Sequence, residues 1–342
     1  MKLFVTGGCG FIGSNFILSE IQNNTSILNY DKITYAGNKN NLLSLEKNSN
    51  YSFFKGDICS IDTLRLAINE FKPDVVVHFA AESHVDRSIN SPHDFINTNI
   101  IGTANLLDVC YDYWKTFQGF KFIHISTDEV YGSLDTSGFF NEKSRFNPSS
   151  PYSASKASSD HLVNAWNKTF DFPSIITNCS NNYGPYQFPE KLIPLVITNC
   201  LKNKALPIYG NGLNVRDWLY VGDHCKAISL LIEKGNSGET YNIGGNNEIQ
   251  NIELVKKICE ILDKLHASRK LSSYKDLIEY VKDRPGHDFR YAIDSSKIKK
   301  SLGWRPTYSI ETGLIKTVKW FLKNEDWWRN TQSNSTKADK SS

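Results

Sequence analysis

No stretch of this sequence stays apolar long enough to cross a bilayer, and none of its seven cysteines stands in a C-x-x-C pair. An odd number of widely spaced thiols argues against a disulfide framework or a zinc cluster, and they read as buried thiols of a reducing compartment. Charge of one sign is equally scarce. The 39 basic and 36 acidic residues leave a formal +3, too little to favour nucleic acid or an anionic membrane. The opening MKLFVTGG runs straight into a strand-like segment without a signal-peptide pattern, so a cytoplasmic protein is expected. No repeat is present, and residues 331–342 are expected to form a disordered polar tail. His84 and His287 have no second ligand at a useful interval, so no metal is expected.

What is present is an alternation. KLFVTG, SILNYD, YSFFKGD, DVVVHFAA and KFIHIST are short apolar runs separated by helical stretches such as Phe11 to Asn23 and Asp94 to Trp114. That rhythm predicts an α/β protein built on a Rossmann-type, doubly wound parallel sheet. The sheet domain is expected over residues 1–178 with return segments near 214–236. A smaller, interleaved mixed α/β domain is expected over 179–330, where prolines interrupt the pattern.

The segment VTGGCGFIGSNFI sets Gly7, Gly10 and Gly13 between the first strand and the first helix. Glycines there permit a tight turn and let backbone amides approach a pyrophosphate at a helix N-terminus. Asp31 ends the second strand, where a carboxylate accepts ribose hydroxyls and repels a 2′-phosphate, favouring NAD over NADP. Lys32 beside it is the kind of residue an NADP site uses. Asp57, in KGDI, is placed either for an adenine edge or as the N-cap of the next helix.

In NPSSPYSASKASSDHLV, Ser150 and Pro151 are helix-start signals, and Tyr152 and Lys156 at i and i+4 share a face. The pair is either a surface contact or a proton acceptor with its activating cation. Oxidising an alcohol requires a base, and a phenol serves if its pKa falls from about 10 toward 7, a shift worth about 4 kcal/mol. Thr127, ending FIHIST, is placed to bond the same hydroxyl.

These residues resemble the extended short-chain dehydrogenase/reductase family, whose members commonly process nucleotide sugars. Further blocks narrow the resemblance: STDEVYG, AAESHVDRSI, NNYGPYQFPEKLIP, RDWLYVGDH and RPGHDFRYAID are together similar to the family's nucleotide-sugar 4,6-dehydratases, those acting on dTDP-glucose in particular. The chemistry accounts for the paired acids Asp128 and Glu129. A ketone at C4 of a hexose acidifies the C5 proton, and elimination of the C6 hydroxyl then needs one base and one acid. An unperturbed Asp is protonated only about one part in a thousand at pH 7, so one carboxyl must be shifted upward. Successive strand residues face opposite ways, so the two converge only if the chain leaves extended geometry at VYG.

The resemblance implies Glu129 as the C5 base, Asp128 as the C6 acid, Tyr152 with Lys156 at the C4 hydroxyl, and Thr127 in support. It implies NAD as cofactor, held by Gly7, Gly10, Phe11, Ile12 and Gly13, by Asp31, Lys32, Thr34, Asp57 and Ile58, and by Ala80, Ala81, Thr98 and Asn182 together with Tyr152 and Lys156. For dTDP-glucose it implies Ser83, Thr127, Asn181, Glu190 and Asn251, with Lys191, Arg216 and Arg284 as candidate phosphate ligands. Pro207, Ile208 and Tyr209 would line the base, and His287 the far side. A homodimer through helices near Asp94–Trp114 and Tyr152–Phe170 is expected. Two alternatives stay open: another dehydratase or a 4-epimerase of the same fold, and a non-catalytic dinucleotide-binding protein.

Overall fold

The computed structural model describes residues 1–338. Among the described residues twelve strands run in chain order: β1 Lys2–Thr6, β2 Ser26–Asp31, β3 Tyr51–Lys55, β4 Val75–His78, β5 Lys121–Thr127, β6 Ser174–Cys179, β7 Asn181–Tyr183, β8 Leu206–Tyr209, β9 Val215–Tyr220, β10 Thr240–Ile243, β11 Glu248–Gln250 and β12 Ile278–Val281. Seven form one parallel sheet in the order β10-β6-β5-β4-β1-β2-β3. The order reverses between β1 and β4, and a doubly wound sheet binds its ligand in the crevice at such a switch.

Burial on both faces explains the continuous apolar runs. Val75, Val76 and Val77 of β4 are all buried, and Leu3 and Val5 face one core cluster while Phe4 faces the other. Helix Phe11–Glu20 follows β1 directly and packs beside Val221–Lys234. Helix Pro151–Phe170 starts as its sequence predicts. The Ser150 Oγ accepts from the Ser153 amide at 3.1 Å, and the Ser153 Oγ accepts from the Ser150 amide at 3.0 Å.

The second part of the chain builds a three-stranded sheet, β11-β9-β7, and a parallel pair, β12 with β8. Around them an apolar cluster gathers Tyr183, Trp218, Leu254, Phe321 and Trp328. The return to the large sheet consists of helix Val221–Lys234 and of β10 beyond it, whereas β9 pairs in the small sheet.

The expected disordered tail is a correction. Helix Glu325–Ala338 runs through most of it, because its first turns are tied to the other end of the chain. Trp327 Nε1 donates to Asn41 Oδ1 at 2.8 Å, Asn38 Nδ2 donates to Thr331 Oγ1 at 3.2 Å, and Trp328 is fully buried. Residues 339–342 lie outside the described residues. Among the described residues no helix is long and apolar enough to cross a membrane.

Candidate active site

A cavity of about 300 Å³ opens along the ends of β1, β2, β4, β5 and β6. At its floor, Gly7 takes φ +70°, and a Cβ there would lie 2.5 Å from the Ala80 nitrogen. A Cβ on Gly13 would meet the Gly7 carbonyl oxygen at 2.5 Å. Gly10 differs: its Cβ would have only that carbonyl near it, at 3.3 Å, and otherwise would fill the cavity. No side chain caps the helix that begins at Phe11, so its first amides face this space, as an anionic diphosphate requires.

Asp31 is 8 % exposed and accepts from the Cys9 amide at 2.8 Å and the Ile33 amide at 2.7 Å. These bonds fix the carboxylate at the cavity edge beside Thr34. Lys32 is turned away from Asp31: its Nζ pairs with Asp57 Oδ2 at 2.7 Å. The other Asp57 oxygen accepts from the Cys59 amide at 2.9 Å, while Ser60 is the helix N-cap, which removes that role from Asp57. Ile58, Ala80, Ala81, Thr98 and Asn182 line the same cavity, as do Phe11 and Ile12. Glycine cradle, uncapped helix and anchored carboxylate together fit a dinucleotide with a free 2′-hydroxyl.

The far end of the cavity carries the reactive groups. Strand β5 stops at Thr127 and the chain turns into a 3₁₀ helix over Asp128–Tyr131, with the Glu129 amide donating to the Thr127 hydroxyl at 3.3 Å. Extended geometry therefore ends where the paired acids begin, and the two carboxyls meet different surroundings. Glu129 is half-buried and lines the cavity. Asp128 is 2 % exposed and does not line it; its Oδ2 has no hydrogen-bond partner among the described residues.

Their electrostatics diverge accordingly. Burial, then the charges of Glu129 and Asp217, push the Asp128 carboxyl well above the usual range, against Arg216 and a Thr127 hydrogen bond. Burial also raises Glu129, but Arg216, Arg284 and Lys191 together pull it back. Both carboxyls are raised, but the rise is large for Asp128 and opposed by three cations for Glu129.

Tyr152 and Lys156 line the cavity beside Ser126 and Thr127. Here an expectation is reversed. Burial first, and then Glu129 and Cys179, raise the Tyr152 phenol well above its ordinary value, with a Thr127 hydrogen bond working the other way. Lys156 donates to the Ile125 carbonyl at 2.9 Å, and its own pKa is lowered by burial. A phenol buried next to a carboxylate needs more positive charge than one buried ammonium offers.

Ser83, Asn181, Glu190 and Lys191 reach the cavity, whereas Pro207, Ile208, Tyr209, Arg216, Asn251, Arg284 and His287 stand outside its lining. All three expected phosphate ligands are engaged with protein. Lys191 donates to the Ser83 carbonyl at 2.8 Å, Arg216 to the carbonyls of Val215 and Asp288 at 2.8 and 2.9 Å, and Arg284 to Asp86 at 3.0 Å. Yet the buried Oδ1 atoms of Asn181 and Asn251 and the Arg284 Nε lack partners among the described residues. Buried polar atoms left without a partner are each open to a polar ligand. Tyr209 meets the His287 ring edge-on at 6.2 Å and is 42 % exposed, a free face for a planar base.

The family model described as GDP-mannose 4,6 dehydratase matches residues 4–317. A dTDP-glucose 4,6-dehydratase of Escherichia coli is 53 % identical, covering 98 % of this chain and 97 % of that protein. The chain belongs to the dTDP-glucose 4,6-dehydratase family. A crystal structure of the Bacillus anthracis dTDP-glucose 4,6-dehydratase in complex with NAD matches with TM-score 0.86 and 49 % identity, over 97 % of this chain and 99 % of that one. The Streptomyces venezuelae dTDP-glucose 4,6-dehydratase, solved with NAD and dTDP, matches with TM-score 0.88 and 44 % identity, over 97 % and 100 %.

Residues that sequence reasoning missed also line the cavity of this family member: Tyr35, Glu82, Gln187 and Phe188. Tyr35 lies under the Arg87 guanidinium, 3.7 Å from ring centroid to carbon, and meets the Phe188 ring edge-on at 5.6 Å. An Arg87 nitrogen is 3.6 Å from Glu190. Three cavity-lining segments are fastened together there. An aromatic four residues past Asp31, opposite a basic residue in AAESHVDRSI, was the available signal.

Proposed function

We propose that this chain converts dTDP-glucose to dTDP-4-keto-6-deoxyglucose and water, with NAD as its resident cofactor. The observation that carries the reading is the split between Asp128, sealed in the interior with its Oδ2 unpartnered among the described residues, and Glu129, which lines the cavity and feels the charges of Arg216, Arg284 and Lys191. Bound NAD supplies reversible hydride transfer, taking hydride from C4 and returning it to C6.

The chain's residues manage the protons. Tyr152 accepts the C4 hydroxyl proton, with Thr127 and Lys156 orienting and activating it. Glu129 takes the C5 proton made acidic by the C4 ketone. Asp128 protonates the departing C6 hydroxyl, and a proton returns to C5. Asp128 and Glu129 share one 3₁₀ turn at the end of β5, so one segment carries both the acid and the base. Lys191, Arg216 and Arg284 bind the diphosphate, exchanging their present partners for it. Asn181, Asn251 and Ser83 bind the sugar end, and Pro207, Ile208, Tyr209 and His287 bound the base. The protein works in the cytoplasm as a homodimer, which would cover the exposed Ile96, Ile101 and Phe170 beside the Pro151–Phe170 helix.

Incubation of the purified protein with dTDP-glucose, read by mass spectrometry, tests this. Loss of one water is expected. An unchanged mass would refute the reading, and conversion to dTDP-galactose at that mass would make the protein an epimerase.

A further inference from the structure

Tyr152, Lys156 and Asp160 follow one another at intervals of four on the Pro151–Phe170 helix, and all three are buried, at 9 %, 4 % and 0 % exposure. The first two belong to the proposed chemistry. Asp160 has no part in it, does not line the cavity of the site, and still places a carboxyl group in the interior. Such a burial is costly unless the charge is used.

Its surroundings show what it faces. Asn178 of β6 donates to Asp160 Oδ2 at 2.9 Å, and His124 Nε2 of β5 lies 3.2 Å from Oδ1. Around Lys156 stand His78 of β4, His124 of β5 and Cys179 of β6, with Tyr152 and Asp160 on its own helix. Burial holds both imidazoles well below their ordinary range and pushes the Cys179 thiol up, so all three are neutral. Asp160 is the leading influence that opposes the loss of the lysine's charge.

We propose that Asp160 is a positioning residue that keeps the proton shared by Tyr152 and Lys156 on the lysine, leaving the tyrosine to accept the proton of the sugar. The pair has two arrangements of equal total charge: phenolate with ammonium, which is productive, and phenol with amine, which is not. A carboxylate one turn from Lys156 and two turns from Tyr152, about 6 and 12 Å along the axis, favours charge on the nearer group. At an effective dielectric near 20 that difference is worth about tenfold in where the proton rests. Lys156 directs a hydrogen bond to the Ile125 carbonyl, and the carboxylate acts on it by its field.

The inference rests on the C4 oxidation assigned to Tyr152, and the test separates the two. Holoenzyme is mixed rapidly with dTDP-glucose, and the burst of reduced nicotinamide, which precedes elimination, is followed against pH. In Asp160→Asn the burst rate should fall about tenfold, and its alkaline limb should move about one unit toward acid, since Lys156 then loses its proton sooner as pH rises. Bound NAD, measured after extraction, and KM should stay as in the wild type, and Asp160→Glu should restore rate and limb. A variant profile that superposes on the wild-type profile overturns the proposal. Should Asp160→Asn fail to fold, Asn178→Ala decides: the same limb must move the same way by less, and an unmoved limb refutes the idea. A wild-type protein without a burst would refute the proposed function, and this inference with it.

Discussion

Asp128 and Glu129 are consecutive in the chain, yet Asp128 keeps an unpartnered oxygen in the protein interior while Glu129 lines the cavity, with the charges of Arg216, Arg284 and Lys191 opposing the rise in its pKa. Replacing Glu129 by Gln should lower dehydration by about 10²- to 10⁴-fold, the usual worth of a general base, without loss of bound NAD. Product assays alongside extraction of the cofactor check this, and turnover within threefold of the wild type would remove Glu129 from the role.

On the roles proposed for them, the same pair should set the pH dependence of kcat. Glu129 must be ionised, so activity falls as pH drops through its raised pKa. Asp128 must be protonated, so activity falls as pH rises through its own, which lies higher. The two limbs belong to the coupled pair. In Asp128→Asn the alkaline limb assigned to the acid should vanish along with about 10²-fold in rate, and persistence of that limb would assign it elsewhere.

Tyr35 is held between Arg87 and Phe188 at the cavity wall. Losing a cation–π contact and its packing is worth about 1–2 kcal/mol, or about five- to thirtyfold in affinity. Tyr35→Ala should therefore leave the purified protein with less than its full complement of NAD, and added NAD should restore activity. Tyr35→Phe should retain the cofactor. Equal content in all three proteins would show that the contact does not hold the dinucleotide.

Gly13→Ala should be far more damaging than Gly10→Ala, since the added methyl lies 2.5 Å from the Gly7 carbonyl oxygen and 2.8 Å from the Gly8 Cα. Overpacking of this kind costs about 1–3 kcal/mol. The expected result is a lowered Tm and little bound NAD, whereas Gly10→Ala should spare stability and weaken only binding. Thermal unfolding and cofactor extraction on both variants distinguish these outcomes.

The parts of the site legible in the sequence are those set by local spacing. Gly7, Gly10 and Gly13 are dictated by one turn, Tyr152 and Lys156 by one helical repeat, and Ser150 with Pro151 by the chemistry of a helix start. The division of labour between Asp128 and Glu129 was legible only as a requirement, because which carboxyl is sealed depends on neighbours as distant as Asp217 and Arg284. Long-range partners escaped altogether. Lys32 points to Asp57 just past the next strand, Tyr35 finds Arg87, and the polar C-terminal segment is ordered by Asn38 and Asn41, nearly three hundred residues upstream. The Tyr152 phenol is raised for the same reason: an i, i+4 lysine is visible in the sequence, but burial beside Glu129 is not.

The central claim is that one hydride leaves C4 and returns to C6 of the same sugar while a carboxyl pair expels water between. dTDP-glucose carrying deuterium at C4, incubated with the protein and no added cofactor in ordinary water, tests it directly by NMR of the product. The deuterium should appear in the C6 methyl group, with hydrogen from solvent at C5. Deuterium remaining at C4, or lost to solvent, would contradict the account.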